Sequence, residues 1–318
     1  MKDKLVTLIG GGGFIGRYVA QELLAAGARV RVVGRDPRRA WFIKPLGGLG
    51  QTQFVAADVG RPQTIARAVA GSDAVVYLVG TWGPDFQGAH VTGVRAAAQA
   101  SRETGASAFV HLSALGADAD SPSRYYASKA EGEAAAREAF PGAIVLRPSV
   151  VFGPEDKFLN RFGGMIASTP QVFGRAPVPV LRAQARFQPV HVVDVARAVA
   201  RVLGDAEAQA GKTIEAVGPE VVTMGELMRW LATTLGREVD LIELPDVMGQ
   251  AIAVAGFLPG APITFDQWKM LKTDNVASGS HPTLETLGIV PTPMESVATS
   301  WLVQYRKAGR FGMRAKAA

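Results

Sequence analysis

Along the first half of the chain, apolar positions alternate between two periods. Short apolar runs at Lys4–Ile9, Arg29–Val33, Gln53–Ala56, Ala74–Val79, Ala108–Leu112 and Ala143–Leu146 have the length and β-branched content of strands. Between them, Arg17–Ala26, Pro62–Ala70, His90–Thr104 and Tyr125–Phe140 carry helical spacing. The first of these helices stops at Gly27 and the second opens on a proline, a stop and a start signal. The run Ala74–Val79, AVVYLV, lacks polar alternation and so predicts a strand covered on both faces. Strands that alternate with helices predict an α/β fold, a doubly wound parallel sheet with right-handed crossovers.

The rhythm breaks after Arg147. Residues 151–187 are rich in Gly, Pro and Phe without βα spacing. A short strand at His191–Val193, a helix at Asp194–Leu203 with Asp194 as its N-cap, and a strand over 213–217 resume it. From 218 onward the pattern predicts helices and loops. The expected division is a nucleotide-type domain over 1–150, with 188–217 returning to it. A smaller, mostly helical C-terminal lobe would hold 151–187 and 218–318.

Composition narrows the chemistry. The chain has 318 residues, 48% hydrophobic and 19% charged, which suits a large buried core. It contains no cysteine, so disulfides, thiolate ligands and thiol nucleophiles are excluded. His90, His111, His191 and His281 show no metal-ligand spacing, and no metal is expected. Net charge is +6, with Arg306, Lys307, Arg310, Arg314 and Lys316 gathered near the end. That tail is either a solvated terminus or a contact for anionic lipid, nucleic acid or protein. No basic stripe interleaved with aromatics supports nucleic-acid binding. The apolar start is broken by four glycines and reads as a buried strand rather than a signal peptide. Val247–Leu258 is twelve residues long, short of the ~20 that a membrane span needs. It reads as a core helix or an interfacial segment.

The first strand runs into Gly10-Gly11-Gly12-Gly13-Phe14-Ile15-Gly16. Gly10, Gly13 and Gly16 have the spacing of a dinucleotide loop: one for the turn, one for pyrophosphate approach, one for helix packing. Lying between a strand and an amphipathic helix, the loop predicts a Rossmann-type domain with Phe14 and Ile15 opening the helix over the phosphates. An NAD site usually has an acid at the end of the second strand. Here Gly34 and Arg35 stand there, with Arg38 and Arg39 beside them. Guanidinium groups grip a 2′-phosphate, so NADP(H) is expected rather than NAD(H). Asp58, after the third strand, is a candidate for the adenine end or a cap for the next helix.

Tyr125 and Lys129 are four apart and share a helix face. A nearby ammonium and the positive charge of a nicotinamide favour the phenolate, which makes Tyr125 a candidate acid/base and predicts a lowered tyrosine pKa. Ser113, just after the fifth strand, is a candidate hydrogen-bond donor to a substrate carbonyl. Arg161, Arg175, Arg182 and Arg186 are either contacts for an anionic substrate or solvated surface.

The ordered set of Gly10–Gly16, Asp58, Val79-Gly80, His111-Leu112-Ser113, Tyr125-x-x-x-Lys129, Arg147-Pro148-Ser149 and Gln188-Pro189-Val190 resembles the extended and atypical short-chain dehydrogenase/reductases over nearly the whole chain. LGGLGQ (46–51), HLSALGAD (111–118), SRYYASKAEGE (123–133) and RPSVVFGPEDKFLNRF (147–162) resemble one branch. That branch supplies an NADPH-holding accessory subunit, alpha-subcomplex subunit nine, to respiratory complex I. The resemblance implies that Gly10, Gly13, Phe14, Ile15, Gly16, Arg35, Arg38, Asp58, Val79, Gly80 and Pro148 hold the cofactor. It implies that Ser113, Tyr125 and Lys129 lie near the nicotinamide. The partners it implies are complex I subunits and a membrane surface, with a location in the cytoplasm or peripheral on the inner face of the energy-transducing membrane. Two positions depart from the pattern: Ala114 follows Ser113 where a second hydroxyl is common, and His90 replaces an asparagine. Two alternatives stay open: an independent NADP(H)-dependent oxidoreductase or sugar-nucleotide epimerase acting on a small molecule, and a module that senses the NADP(H) pool.

Overall fold

The structure is a computed structural model in which residues 1–257, 263–307 and 309 are described. The chain forms two compact units. The first comprises Met1–Pro148, Val192–Ala216 and Ala277–Val290. Its seven strands are β1 (Leu5–Ile9), β2 (Arg29–Gly34), β3 (Thr52–Ala56), β4 (Ala74–Tyr77), β5 (Ala108–Leu112), β6 (Ile144–Pro148) and β7 (Thr213–Ala216). All run parallel, in the order β7-β6-β5-β4-β1-β2-β3. Strand order reverses between β1 and β4. The connections leaving these two strands therefore diverge, and a crevice opens at their C-terminal ends.

Helices α1 (Phe14–Ala25), α2 (Pro62–Val69), α3 (Gly93–Glu103), α4 (Arg124–Ala139) and α5 (Val192–Gly204) flank the sheet. Helix α1 packs with α5, while α2, α3 and α4 pack in a row. Val75, Tyr77 and Phe109 of the sheet share one buried cluster with Ile65, Val94, Ala97, Ala98 and Ala136 of the helices. Cover on both sides is why β4 and β5 read as unbroken apolar runs.

Several boundaries differ from the expected ones. Helix α1 begins at Phe14, three residues before Arg17, because Gly13 already caps it. A ten-residue 3-10 helix, Pro37–Leu46, fills a stretch in which no helix is expected. Asp36 caps it by accepting the Arg38 N–H, and Pro37 pre-sets the first turn. The strand expected at His191–Val193 is confined to Val190–His191, and α5 begins at Val192. Asp194 is therefore inside the first turn, fully buried, and not the N-cap. The segment Ala277–Val290, expected in the C-terminal lobe, belongs to the first unit, where the Glu215 N–H donates to Pro282 O at 2.9 Å.

The second unit comprises Ser149–His191, Val217–Val276 and Pro291–Ala318. Besides helices such as Leu159–Ser168 and Met224–Thr234, it holds a parallel ribbon of Arg175–Leu181 with Glu238–Leu244. Neither strand is expected from the sequence. Ala176, Val178 and Val180 alternate inward, but Pro177 and Pro179 interrupt them and argue against a strand. A two-stranded ribbon tolerates the prolines because its free edge needs no donor. Phe152, Leu159, Val178, Leu227 and Leu302 form this unit's core. Among the described residues, no helix is long and apolar enough to cross a membrane, and no acidic or histidine cluster could hold a metal. Leu258 and the tail residues Arg310, Arg314 and Lys316 lie outside the described residues.

Candidate dinucleotide and tyrosine–lysine site

The crevice edge is shaped by glycines that nothing larger can replace. Gly10 adopts φ +84°, and a Cβ there would meet Val79 Cγ2 at 3.0 Å. This close approach brings Val79 of the fourth-strand connection against the loop. A Cβ on Gly16 would lie 2.4 Å from Gly11 O, and one on Gly11 would lie 2.7 Å from Leu8 Cβ. The loop thus folds tightly on itself and on β1. Gly13 caps α1 with no side-chain oxygen on the helix N–H groups, leaving the positive end of the helix free for an anion. A cavity of about 530 Å³ continues from Gly10, Gly12 and Gly13 past Val32–Pro37 to Arg39 and Ala40. Its glycine walls and cationic end fit the adenosine and phosphates of a dinucleotide.

Of the arginines, Arg35 and Arg39 line this cavity. Arg38 does not; its Nε donates to Asp36 Oδ1 at 3.1 Å and it is largely exposed. Arg38 and Arg39 both pair with Asp36, which commits that acid to its own turn. The Arg38 side-chain hydrogen bond holds the Asp36 carboxyl below its usual range. Asp58 likewise serves local structure: Oδ1 accepts the Gly60 N–H at 3.0 Å, and the Asp58 N–H donates to Thr64 Oγ1 of α2. Pro148 closes β6, and its carbonyl accepts the Leu115 N–H at 2.8 Å.

The tyrosine end is built differently. Ser123 caps α4 and sets Tyr125 in its first turn. The Tyr125 ring stacks on Trp82, with centroids 4.2 Å apart and planes inclined by 10°. Phe86 and His90 meet it edge-on. Lys129 is buried, with Nζ 5.9 Å from the Tyr125 ring centroid and donating to Leu112 O at 3.1 Å. Burial lowers the amine from 10.5 to about 8. Burial also raises the Tyr125 hydroxyl, with Tyr126 adding to the rise. Loss of solvent thus works against the lowering that the nearby ammonium favours.

Ser113 is committed elsewhere. Its Oγ donates to Glu133 Oε1 at 2.5 Å. The same carboxylate takes two bonds from Arg147, Nε to Oε1 at 2.8 Å and Nη2 to Oε2 at 2.7 Å. Glu133 is buried and its partner nearly so. The pair ties α4 to β6, with Ser113 of the β5 end completing the carboxylate's shell. Ala114, the next residue, supplies no second hydroxyl.

His90 anchors the connection after β4. It is fully buried, accepts the Thr81 N–H on Nε2 at 3.1 Å, and its Nδ1 lies 2.9 Å from Ser128 Oγ. Accepting on Nε2 fixes the proton on Nδ1, so the ring donates to Ser128. Ser128 Oγ in turn donates to Tyr125 O at 2.9 Å. Burial first, then the Lys129 charge, pushes His90 down to about 3. This neutral ring lies in a one-turn π-helix, Gly88–Thr92, where Tyr77 Oη donates to the Ala89 carbonyl at 2.6 Å. Gly132 of α4 permits the approach: a Cβ there would lie 2.1 Å from His90 O.

The model of the NAD dependent epimerase/dehydratase family matches residues 6–218. The chain belongs to that family. A nicotinamide dinucleotide is accordingly its cofactor, and the glycine loop and cavity fit one. This family member is 33% identical over 311 residues to the mitochondrial NADH dehydrogenase [ubiquinone] 1 alpha subcomplex subunit 9 of Mus musculus, covering 95% of this chain and 80% of that one. It is 32% identical over 301 residues to a ceramide reductase of Caulobacter vibrioides, covering 91% and 86%. Its fold is that of the NADPH-dependent quinone oxidoreductase of Escherichia coli, with a TM-score of 0.75 at 19% identity, covering 93% and 99%.

Sequence reasoning missed Trp82, Phe86 and Glu133 as neighbours of this site. Glu133 carried a signal, since it lies four residues after Lys129 on the same helix face. Trp82 carried none, because its loop has no periodicity to aim a side chain.

Proposed function

We propose that this protein is an NADP(H)-holding accessory subunit or assembly factor of a respiratory NADH:ubiquinone oxidoreductase, stationed at the inner face of the energy-transducing membrane. The observation that carries the reading is the contrast within the first unit. The dinucleotide cavity is open, whereas the tyrosine end is filled by the protein's own contacts. Trp82 covers Tyr125, and Ser113 is spent on Glu133. Such a site retains a cofactor better than it turns over a substrate. Similarity to the alpha subcomplex subunit over 95% of the chain supports the partner. Arg35 and Arg39 in the cavity, with Gly34 ending β2, support NADP(H) over NAD(H). Gly10, Gly13, Phe14, Ile15 and Gly16 would hold the pyrophosphate, and Val79, Gly80 and Pro148 would border the nicotinamide half. The test is to tag the native copy, solubilise membranes gently and identify what co-purifies. Subunits of the oxidoreductase in fixed ratio are expected; recovery of the protein alone from the soluble fraction would overturn the reading.

A second reading is favoured by Lys129. A buried amine lowered to about 8 beside Tyr125 is more than helix packing requires, and one relative is a ceramide reductase. Under this reading the chain reduces a carbonyl on a lipid-like substrate. A nicotinamide dinucleotide held by Gly10, Gly13 and Gly16 would supply the hydride. Tyr125 donates the proton from Oη, Lys129 balances the charge left behind, and Trp82 swings away to admit the substrate. NADPH oxidation dependent on a long-chain keto-amide, abolished in Tyr125→Phe, is the expected signature. No oxidation with such substrates would exclude it.

A further inference from the structure

The 3-10 helix Pro37–Leu46 and the turn after it display an arrangement that the cofactor site does not need. With three residues per turn, positions three apart share a face. Ala40 and Ile43 point inward and are buried. The remaining positions put Trp41 above Lys44 on one outer edge and Phe42 above Pro45 on the other. Trp41 is 57% exposed and Leu49 fully exposed, with Phe42 and Leu46 also open to solvent. Four large apolar side chains thus stand out within nine residues, where a soluble surface would place polar ones. The platform is firm: the Arg17 guanidinium of α1 lies 4.2 Å over the Phe42 ring, and Asp36 ties Arg38 and Arg39 into the helix start.

Charge identifies the occupant. Arg35 and Arg39 turn to the dinucleotide cavity, which leaves the exposed Arg38 and Lys44 on the outer face against the single acid Asp36. Exposed tryptophan and leucine ringed by cations match the interface of an anionic bilayer. There the indole sits at headgroup depth and basic side chains meet phosphates. The other exposed apolar helix, Asp246–Val254, shows Val247, Met248 and Val254 outward. It has no lysine or arginine of its own, and the Asp246 that begins it is paired with Arg182, so the helix adds no cation for an anionic surface.

We propose that residues 38–49 form a membrane-docking surface that seats Trp41 and Leu49 in an anionic lipid bilayer, with Lys44 and the exposed Arg38 on its phosphates. The inference rests on the reading that the protein works beside a membrane, and it names the face that meets the lipid.

The test uses the purified full chain and phosphatidylcholine vesicles with or without phosphatidylglycerol, scored by co-sedimentation at low and high salt. Binding only to the phosphatidylglycerol vesicles, weakened by salt, is expected. Tryptophan emission should shift to shorter wavelength on binding, and Trp41→Phe should abolish that shift while retaining most of the binding. Lys44→Glu should weaken binding by roughly fivefold or more, from the charge alone. Leu49→Ser should weaken it by about tenfold or more, from lost apolar burial. Both side chains are exposed, so thermal unfolding should not change. Val247→Ser with Met248→Ser should bind as the unmodified protein does. No binding to phosphatidylglycerol vesicles, full binding by Leu49→Ser with Lys44→Glu, or loss in the Val247/Met248 variant would each overturn the proposal. Failure here with oxidoreductase subunits still co-purifying would sink only the docking face. Vesicle binding without co-purification would sink only the assembly.

Discussion

The two ends of the crevice in the first unit are made from opposite materials. At the phosphate end, side chains are missing: Gly10, Gly11 and Gly16 let the loop fold close against Val79, Leu8 and itself, and Gly10, Gly12 and Gly13 wall the cavity. At the tyrosine end, side chains fill the space and bond to one another: Trp82 on Tyr125, Ser113 on Glu133, His90 between Thr81 and Ser128. The first end is shaped for a ligand and the second for itself. A protein that keeps a cofactor without needing turnover must preserve the first and is free to fill the second. The comparison is therefore a physical statement of the proposed role, and four substitutions probe it.

The largest effect is expected at Glu133→Ala. This change takes from the Arg147 guanidinium, one-fifth exposed, the carboxylate it bonds twice, and leaves it only the longer-range charges of Glu215 and Asp118. Removing one partner of a largely buried pair costs about 3–5 kcal/mol. Chemical denaturation should show a loss of that size. A loss below ~1 kcal/mol would mean that the tyrosine end is not held together from within.

Next is Arg35→Ala at the open end. A charge-assisted bond to a phosphate contributes ~1.5–3 kcal/mol, so NADPH affinity should fall by about tenfold to a hundredfold while NADH affinity changes little. Calorimetric titration with both dinucleotides checks this. Equal losses for both would remove the basis for preferring NADP(H).

Lys129 supplies a pH test of the closed end. Its amine titrates near 8 in the folded protein against an ordinary 10.5. Between those values the unfolded chain binds more protons than the folded one, so this group makes stability rise with pH through that window. Below pH 8 the amine is charged in both states and the fold bears the cost of burying it. Lys129→Met should remove the alkaline rise. At pH 7 it should also stabilise the protein by about 2 kcal/mol, after allowing for the lost bond to Leu112 O. Unfolding free energies at pH 7 and pH 10 measure both. A variant with the same pH slope as the parent would place the buried charge elsewhere.

The same division explains what the sequence discloses and what it hides. Gly10–Gly16 is legible because backbone approach admits one residue type, and that constraint is local. The alternation of β1 to β6 with helices is legible because a central strand such as β4, buried on both faces, leaves a continuous apolar run, while β2 keeps an apolar alternation between Arg29 and Arg31. Tyr125 and Lys129 are legible as a pair through helix spacing. Their electrostatics are not, because the cost of burying Tyr125 depends on Trp82 and Phe86, which reach it from a loop 39 to 43 residues earlier in the chain. The ribbon of Arg175–Leu181 with Glu238–Leu244 is hidden for a related reason. Its prolines argue against a strand locally, and only the distant partner makes the edge that tolerates them.

Ser113→Ala is the smallest expected change and the sharpest discriminator. If the hydroxyl served a substrate or the nicotinamide, removing it would alter ligand binding or turnover and leave stability nearly untouched. In the structure, Ser113 Oγ is buried and donates to a carboxylate that already holds two bonds from Arg147. Glu133 would keep those two bonds and lose one, and a cavity of one oxygen atom would remain. The expected cost is about 1–2 kcal/mol of stability, read from the denaturation midpoint at unchanged slope, with NADPH affinity equal to that of the parent. The opposite pattern, intact stability with weakened NADPH binding, would show that Ser113 faces the ligand once the cofactor is bound. The tyrosine end would then be a working site, with Ser113 part of it.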